Sequence, residues 1–260
     1  MKALKALGQN FLIDKTIASE IVALGDLHKG DKVWEIGPGT GILTDEILSW
    51  NVQLRAFELD KLLQKYLSEH YQGRFVLEST DILQANWDSL IQQDGYPLKL
   101  IANIPYQITS PLLAQLEKYS KFFSRIVLMV QKEVAQRLCA QSHSKHYSPL
   151  TIRLHLVYDI YSKIQVNKEK FNPVPKVDST VILLLPRTDK PIIKYPESFN
   201  NIIDAAFAHR RKTLANNFIP VLGKEKTKEL ENLSQINFRQ RGEELEEKDF
   251  ILLSELVSSL

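Results

Sequence analysis

Cysteine is nearly absent from this chain: Cys139 stands alone, so no internal disulfide can form and a reducing compartment suits the protein. Long apolar runs are missing as well, and none reaches the ~18 residues that a membrane span requires. The stretch from Met1 to Leu7 is too short and too basic to read as a secretory signal. A cytoplasmic protein with no membrane attachment is the expectation. Charge of one sign is also scarce, with a net of only +2 over 260 residues. Binding to nucleic acid would have to come from local clusters and a site, not from the field of the whole molecule. No internal repeat or low-complexity segment is visible, and His143 and His146 have no metal-ligand spacing with Cys139, so no metal is expected.

What is present is an ordinary globular composition, 44% hydrophobic and 25% charged. The spacing of Ile17, Ile21, Val22 and Leu24 predicts a short helix, with Asp14 or Thr16 as its cap. Strands are expected at 32–36, 52–59, 75–78, 99–102 and 125–130, with helices at 42–48, 62–69, 112–119 and 131–140 between or after them. Segments 150–157 and 181–185 read as late strands. Strands alternating with helices imply an α/β fold with a mostly parallel, doubly wound sheet. The segment Arg187–Pro196 is proline-rich and aperiodic, a linker by composition. Helical patterns follow at 199–218, 224–233 and 243–260. This divides the chain into a large α/β domain, 1–186, and a small all-helical C-terminal domain, 187–260.

The most informative loop is Glu35-Ile36-Gly37-Pro38-Gly39-Thr40-Gly41, between the first long strand and its helix. Glycines allow positive φ and let a ligand approach the backbone, and open α/β sheets bind ligands at the carboxyl ends of their strands. A dinucleotide fingerprint needs G-x-G-x-x-G. Here Ile42 takes the third position and the extra glycine is Gly41, giving the E-x-G-x-G-x-G of S-adenosylmethionine-dependent methyltransferases. Glu58 ends the next strand, where a carboxylate can accept from both ribose hydroxyls. Asp81 follows the third, within reach of an adenine amino group.

Asn103-Ile104-Pro105-Tyr106 follows the fourth strand. An exocyclic aromatic amine is a poor nucleophile, because its lone pair is delocalised into the ring. Acceptors that hold both N–H groups favour a pyramidal nitrogen, and the Asn103 side-chain oxygen and the Ile104 carbonyl can be that pair. Pro105 biases Ile104 towards an extended conformation that aims its carbonyl outward. Tyr106 offers a face for stacking a base, worth roughly 1–3 kcal/mol. Enzymes that methylate glutamine amide nitrogen or DNA adenine also carry asparagine at this position, so the motif specifies the acceptor atom better than the substrate.

Over nearly its whole length the chain resembles the small-subunit ribosomal RNA adenine N6,N6-dimethyltransferase family. The resemblance is carried by Gly8-Gln9-Asn10-Phe11-Leu12, the glycine loop, Glu58-Leu59-Asp60, Asn103-Ile104-Pro105-Tyr106 and Gln131-Lys132-Glu133-Val134. It extends through the segment from Phe171 to Ser179 and Phe207-Ala208-His209-Arg210-Arg211-Lys212-Thr213. Many members have leucine where Ile104 stands, and a longer proline run where Asn172 and Val174 stand. Both differences keep the backbone acceptor and the proline after it. The resemblance implies a Rossmann-like methyltransferase sheet and S-adenosylmethionine as methyl donor. By the same resemblance Asn10, Leu12, Gly37, Glu58, Asp81 and Asn103 contact that donor, with Gly39, Leu59 and Ile82 beside them. Phe171 would stack on the target adenine opposite Tyr106.

The implied reaction is dimethylation of two adjacent adenines in a hairpin near the 3′ end of small-subunit RNA. The expected partner is that RNA or an immature small ribosomal subunit, and the expected enzyme is a monomer. The target base should be flipped out of its stack. Lys170 and Lys176 form part of a basic rim around Phe171, and Arg210, Arg211 and Lys212 lie on an expected helix of the RNA-binding C-terminal domain. Lys118, Lys121 and Arg125 read as a solvated face. Two other readings stand beside this one: a large-subunit methyltransferase conferring macrolide resistance, which shares the loop and the catalytic motif, and a ribosome-assembly factor without catalysis.

Overall fold

The computed structural model describes residues 9–260, so Met1–Leu7 and Gly8 of the N-terminal signature lie outside the described residues. In chain order the elements are β1 (Phe11–Leu12), α1 (Lys15–Ala23), β2 (Lys32–Ile36), α2 (Ile42–Leu48), β3 (Gln53–Phe57), α3 (Lys61–Tyr71), β4 (Val76–Glu78) and α4 (Trp87–Asp94). Then come β5 (Leu98–Asn103), α5 (Thr109–Lys118), β6 (Phe123–Gln131), α6 (Lys132–Leu138), α7 (Pro149–His155), β7 (Tyr158–Val166), β8 (Phe171–Asn172) and β9 (Ser179–Pro186). The last four helices are α8 (Pro196–Phe207), α9 (Leu214–Leu222), α10 (Lys224–Ser234) and α11 (Glu247–Ser259).

One sheet has seven strands in the order β4-β3-β2-β5-β6-β9-β7. Its first five strands are parallel, while β9 and β7 run antiparallel. The chain winds outward in opposite directions from β2 and β5, so a topological switch point lies between these two strands, where ligands bind in such sheets. Central β6 explains itself: Ile126 to Val130 are all fully buried, as a strand covered on both faces requires. On one side Ile21, Ile47, Leu67, Ile101, Val127 and Met129 share a core. Elsewhere Trp34 meets Phe57, Trp87 and Phe123 edge-on, at ring-centroid distances of 5.3, 5.4 and 5.8 Å. The cap left open between Asp14 and Thr16 is Asp14, whose carboxylate accepts from the N–H groups of Thr16 and Ile17 at 3.0 and 3.2 Å.

The chain forms two compact units, one of residues 9–135 and 158–186, the other of residues 136–157 and 187–260. The expected division at 186/187 therefore needs a correction. Residues 136–157 pack with the later helices, because Tyr147, Ile152 and Leu156 bury in one cluster with Phe199, Phe218 and Phe250. The expected strand at 150–157 is also wrong. Alternating Ile152, Leu154 and Leu156 imitate a strand, yet Pro149 opens a helix there and the Ser148 hydroxyl accepts from the Thr151 N–H at 3.4 Å. The actual strand is the polar edge β7, whose alternation is broken by a register shift between Ser162 and Ile164.

In the second unit the expected helix 199–218 is two helices. Residues 208–212 form a turn, and Thr213 caps α9 by accepting from the Asn216 N–H at 3.4 Å. Arg210 lies in this turn, not on a helix. Its guanidinium donates to the carbonyls of Lys145 and Tyr147 at 2.7 and 2.9 Å and to the Glu243 carboxylate at 3.2 Å. These bonds anchor one end of the guanidinium while the side chain stays 47% exposed, so Arg210 is held in the turn and still faces solvent. Arg211 and Lys212 are exposed.

Candidate active site

The site grows from the carboxyl ends of neighbouring strands in the first unit. After β2 the chain turns through Gly37 and Gly39 at φ of +69° and +57°, and the Gly37 N–H donates to the Phe57 carbonyl at the end of β3 at 2.9 Å. Glu58 follows β3, Asp81 follows β4 by three residues, and Asn103 closes β5. These residues line a single cleft with Asn10, Leu59, Ile82, Ile104, Pro105 and Tyr106. The cleft holds about 930 Å³ of empty space, counting its open mouth.

Glu58 is 6% exposed, and its carboxylate accepts from the N–H groups of Leu59 and Asp60 at 2.9 Å each and of Gly39 at 3.3 Å. Burial pushes its carboxyl above the usual range, against the pull of these three donors. Asp81 uses one oxygen to accept from the Leu83 N–H at 2.9 Å. Glu35, inside β2, does not line the cleft. It is 1% exposed; Oε2 accepts from the Thr44 hydroxyl at 2.8 Å, and Oε1 has no partner among the described residues. Burial pushes this carboxyl up to about 8, with Glu58 and Asp45 adding to the rise and the Thr44 bond opposing it.

An N-terminal strap of residues 9–14 lies along the loop. The Gln9 amide donates to Asp60 Oδ2 at 3.0 Å, and Lys170 Nζ pairs with Asp14 at 2.7 Å. Asn103 Nδ2 donates to the Asn10 carbonyl at 3.3 Å. A carbonyl can only accept, so this bond fixes which end of the Asn103 amide faces Asn10 and leaves Oδ1 as the acceptor. The Phe11 ring stands 2.9 Å from the point a Cβ on Gly39 would occupy. Gly39→Ala would therefore combine a left-handed backbone with a clash that displaces Phe11, a residue of the cleft wall. Affinity for S-adenosylhomocysteine should fall about tenfold, the equivalent of ~1.4 kcal/mol. Calorimetric titration would measure it, and unchanged affinity would remove the loop from the binding site.

Beyond Asn103, Pro105 leads into a short 3-10 turn at Tyr106–Ile108. Tyr106 is partly buried, and its hydroxyl shares a 2.8 Å hydrogen bond with Ser179 Oγ.

Two expected site residues fall elsewhere. Leu12 and Phe171 are 2% and 1% exposed, face each other in the antiparallel β1–β8 pair, and belong to the hydrophobic core. Neither side chain lines the cleft, since burying a leucine and an aromatic ring together gains more than leaving them at a rim. Lys170 and Lys176 are both exposed, and Lys170 also pairs with Asp14. Sequence reasoning overlooked Phe57, Leu63, Thr80, Gln107 and Ile108 in the cleft wall. Gln107 and Ile108 could have been found by following the chain two residues past Tyr106; Phe57 and Thr80 carry no signal apart from their nearness to strand ends, and Leu63 none beyond its place in the first turn of α3.

The model of the ribosomal RNA adenine dimethylase family matches residues 1–258. Among curated proteins, the ribosomal RNA small subunit methyltransferase A of Lactobacillus johnsonii is 38% identical, covering 99% of this chain and 91% of its own. That of Geobacter sulfurreducens is 40% identical over 83% of this chain and 80% of its own. Among solved structures, a dimethyladenosine transferase from Plasmodium falciparum superposes with a TM-score of 0.77 at 26% identity, covering 94% of this chain and 95% of its own. The 23S rRNA methyltransferase ErmE superposes with a TM-score of 0.73 at 21% identity, over 96% of this chain and 100% of its own, a likeness of fold. A match from end to end, joined to a cleft built at the switch point of a Rossmann-like sheet, decides the matter: this chain belongs to the ribosomal RNA adenine dimethylase family.

Proposed function

We propose that the chain transfers methyl groups from S-adenosylmethionine to the N6 amino groups of two adjacent adenosines in a hairpin near the 3′ end of small-subunit ribosomal RNA. The observation that carries the reading is the Asn103 amide, fixed by the Asn10 carbonyl with its oxygen left to accept, at the mouth of β5 beside Pro105 and Tyr106. The residues present fit the donor. Gly37 and Gly39 leave the loop backbone without side chains at the cleft wall, and the Glu58 and Asp81 carboxylates stand at adjacent strand ends for ribose hydroxyls and an adenine amino group. Asn10, Leu59 and Ile82 complete that side of the cleft.

S-adenosylmethionine bound there supplies a methyl group on a sulfonium, already activated for in-line displacement. The chain's own residues supply position. Asn103 Oδ1 and the Ile104 carbonyl accept the two amino hydrogens of a flipped adenine, which turns the nitrogen lone pair away from the ring. Tyr106 stacks on the base. As the N–C bond forms, the nitrogen becomes acidic and gives a proton to water or a nearby acceptor, so no strong base is needed. For the second methyl, one N–H remains, and one acceptor is enough to orient it.

The exposed Lys170, Lys176, Arg210, Arg211 and Lys212 are cations available to phosphate, and recognition rests on hairpin shape and backbone contacts. The reading includes an immature small subunit as a substrate and a monomeric enzyme working in the cytoplasm. Among the described residues no helix is long and apolar enough to cross a membrane. A small-subunit target is favoured over a large-subunit one by the curated relatives, which are named for the small subunit, whereas the likeness to ErmE extends to the fold alone. The complete Asn103–Tyr106 motif speaks against an assembly factor without catalysis. Mass spectrometry of ribosomal RNA from cells with and without the gene tests the proposal. The dimethyladenosines of the small-subunit RNA should vanish on deletion, and loss from the large-subunit RNA instead would overturn it.

A further inference from the structure

We propose that Ser179 is a positioning residue for methyl transfer, its buried hydroxyl gripping the far end of Tyr106 so that the ring is fixed as a platform before the adenine arrives. The inference rests on the reading of Tyr106 as the face on which the target base stacks.

Three observations carry it. First, Ser179 is fully buried and does not line the cleft, so it cannot touch substrate itself, yet its Oγ lies 2.8 Å from the Tyr106 hydroxyl. Among the described residues this is the hydrogen bond by which that hydroxyl is held. The ring is thereby attached at both ends, through Cα to the turn after Pro105 and through its hydroxyl to β9. A side chain held at two points gives up little freedom when a base lands on it.

Second, the anchor is itself immobile. Ser179 opens β9 between two partner strands, opposite Gln131 of β6 and Val166 of β7. The preceding residue is clamped from both sides: the Asp178 carbonyl accepts from the Lys132 N–H at 3.0 Å, and its carboxylate from the Lys168 N–H at 3.1 Å. Third, Phe171, at the other end of the same segment, is buried in the core. In this structure Phe171 therefore presents no second ring to the cleft, and the segment's contact with the platform is the Ser179 hydroxyl.

A double-mutant cycle tests the proposal. Ser179→Ala removes the hydrogen bond from the buried side, and Tyr106→Phe removes it from the cleft side without disturbing β9. Each should lower kcat/KM for undermethylated small ribosomal subunits about threefold to tenfold, the range expected when one side chain must be ordered during binding. Affinity for S-adenosylhomocysteine should stay within twofold, and the double variant should be no worse than the weaker single one. Three results would overturn it: full activity in Ser179→Ala, a double variant whose loss is the product of the two, or a matching fall in S-adenosylhomocysteine affinity. Tyr106→Ala separates this failure from that of the underlying reading. Unchanged transfer in Tyr106→Ala sinks the stacking role of Tyr106, whereas a defect there with Ser179→Ala fully active sinks only the role of Ser179.

Discussion

Asn103→Ala should lower the rate of methyl transfer about 10²–10³-fold, the usual penalty for deleting one preorganised polar group at a reacting centre. The reason lies in how the amide is set. Its nitrogen is spent on the Asn10 carbonyl, so its oxygen is in place before the adenine arrives and needs no reorganisation in the transition state. Alanine removes the acceptor that helps to turn the amine's lone pair out of conjugation, and the Ile104 carbonyl alone holds only one of two N–H groups. The same substitution should scarcely affect the fold. It deletes one partly exposed hydrogen bond, worth about 1 kcal/mol, from a residue at the end of a strand held in the core by Leu98, Leu100, Ile101 and Ala102. Single-turnover transfer to small ribosomal subunits, with thermal melting as control, would separate the effects. Normal turnover in a folded variant would strip Asn103 of its role.

The contrast between Asn103 and Phe171 marks what the sequence could and could not convey. Asn103, Glu58, Asp81 and the glycine loop were legible because each ends a strand or follows one within three residues, and a parallel sheet brings such ends together whatever fills its core. Phe171 lies between a lysine and an Asn-Pro pair, a setting that reads as an exposed loop. Its burial depends on pairing with Leu12, some 160 residues earlier, and local pattern holds no information about a partner that distant. Arg210 was misplaced for the opposite reason. The apolar spacing of α8 is taken up again by α9, and only Thr213, with its capping hydroxyl, marks the break. Segment 150–157 shows a third kind of loss: three apolar residues at alternate positions satisfy a strand, and the Ser148-Pro149 start that favours a helix is a two-residue signal easily outweighed.

Glu35 leads to the second large effect, on stability rather than rate. The carboxyl is buried within β2 with one oxygen unpartnered among the described residues, and burial raises it to about 8, against about 4.5 when exposed. A group raised in the folded state binds its proton more tightly there than in the unfolded chain. Its stabilising contribution is therefore complete below pH 4.5 and is lost as pH climbs through 8. The slope is at most ~1.4 kcal/mol per pH unit, so the loss between pH 5 and 8 is on the order of 4 kcal/mol. Glu35→Gln keeps the size and an acceptor for the Thr44 hydroxyl but cannot ionise. Relative to wild type it should gain stability steadily as pH rises through this window and hold that gain above it. Urea unfolding of both proteins at several pH values, without cofactor, would measure the difference. A gap that stays constant with pH would mean that Glu35 titrates alike in the folded and unfolded chain, and that Oε1 reaches solvent or a partner after all.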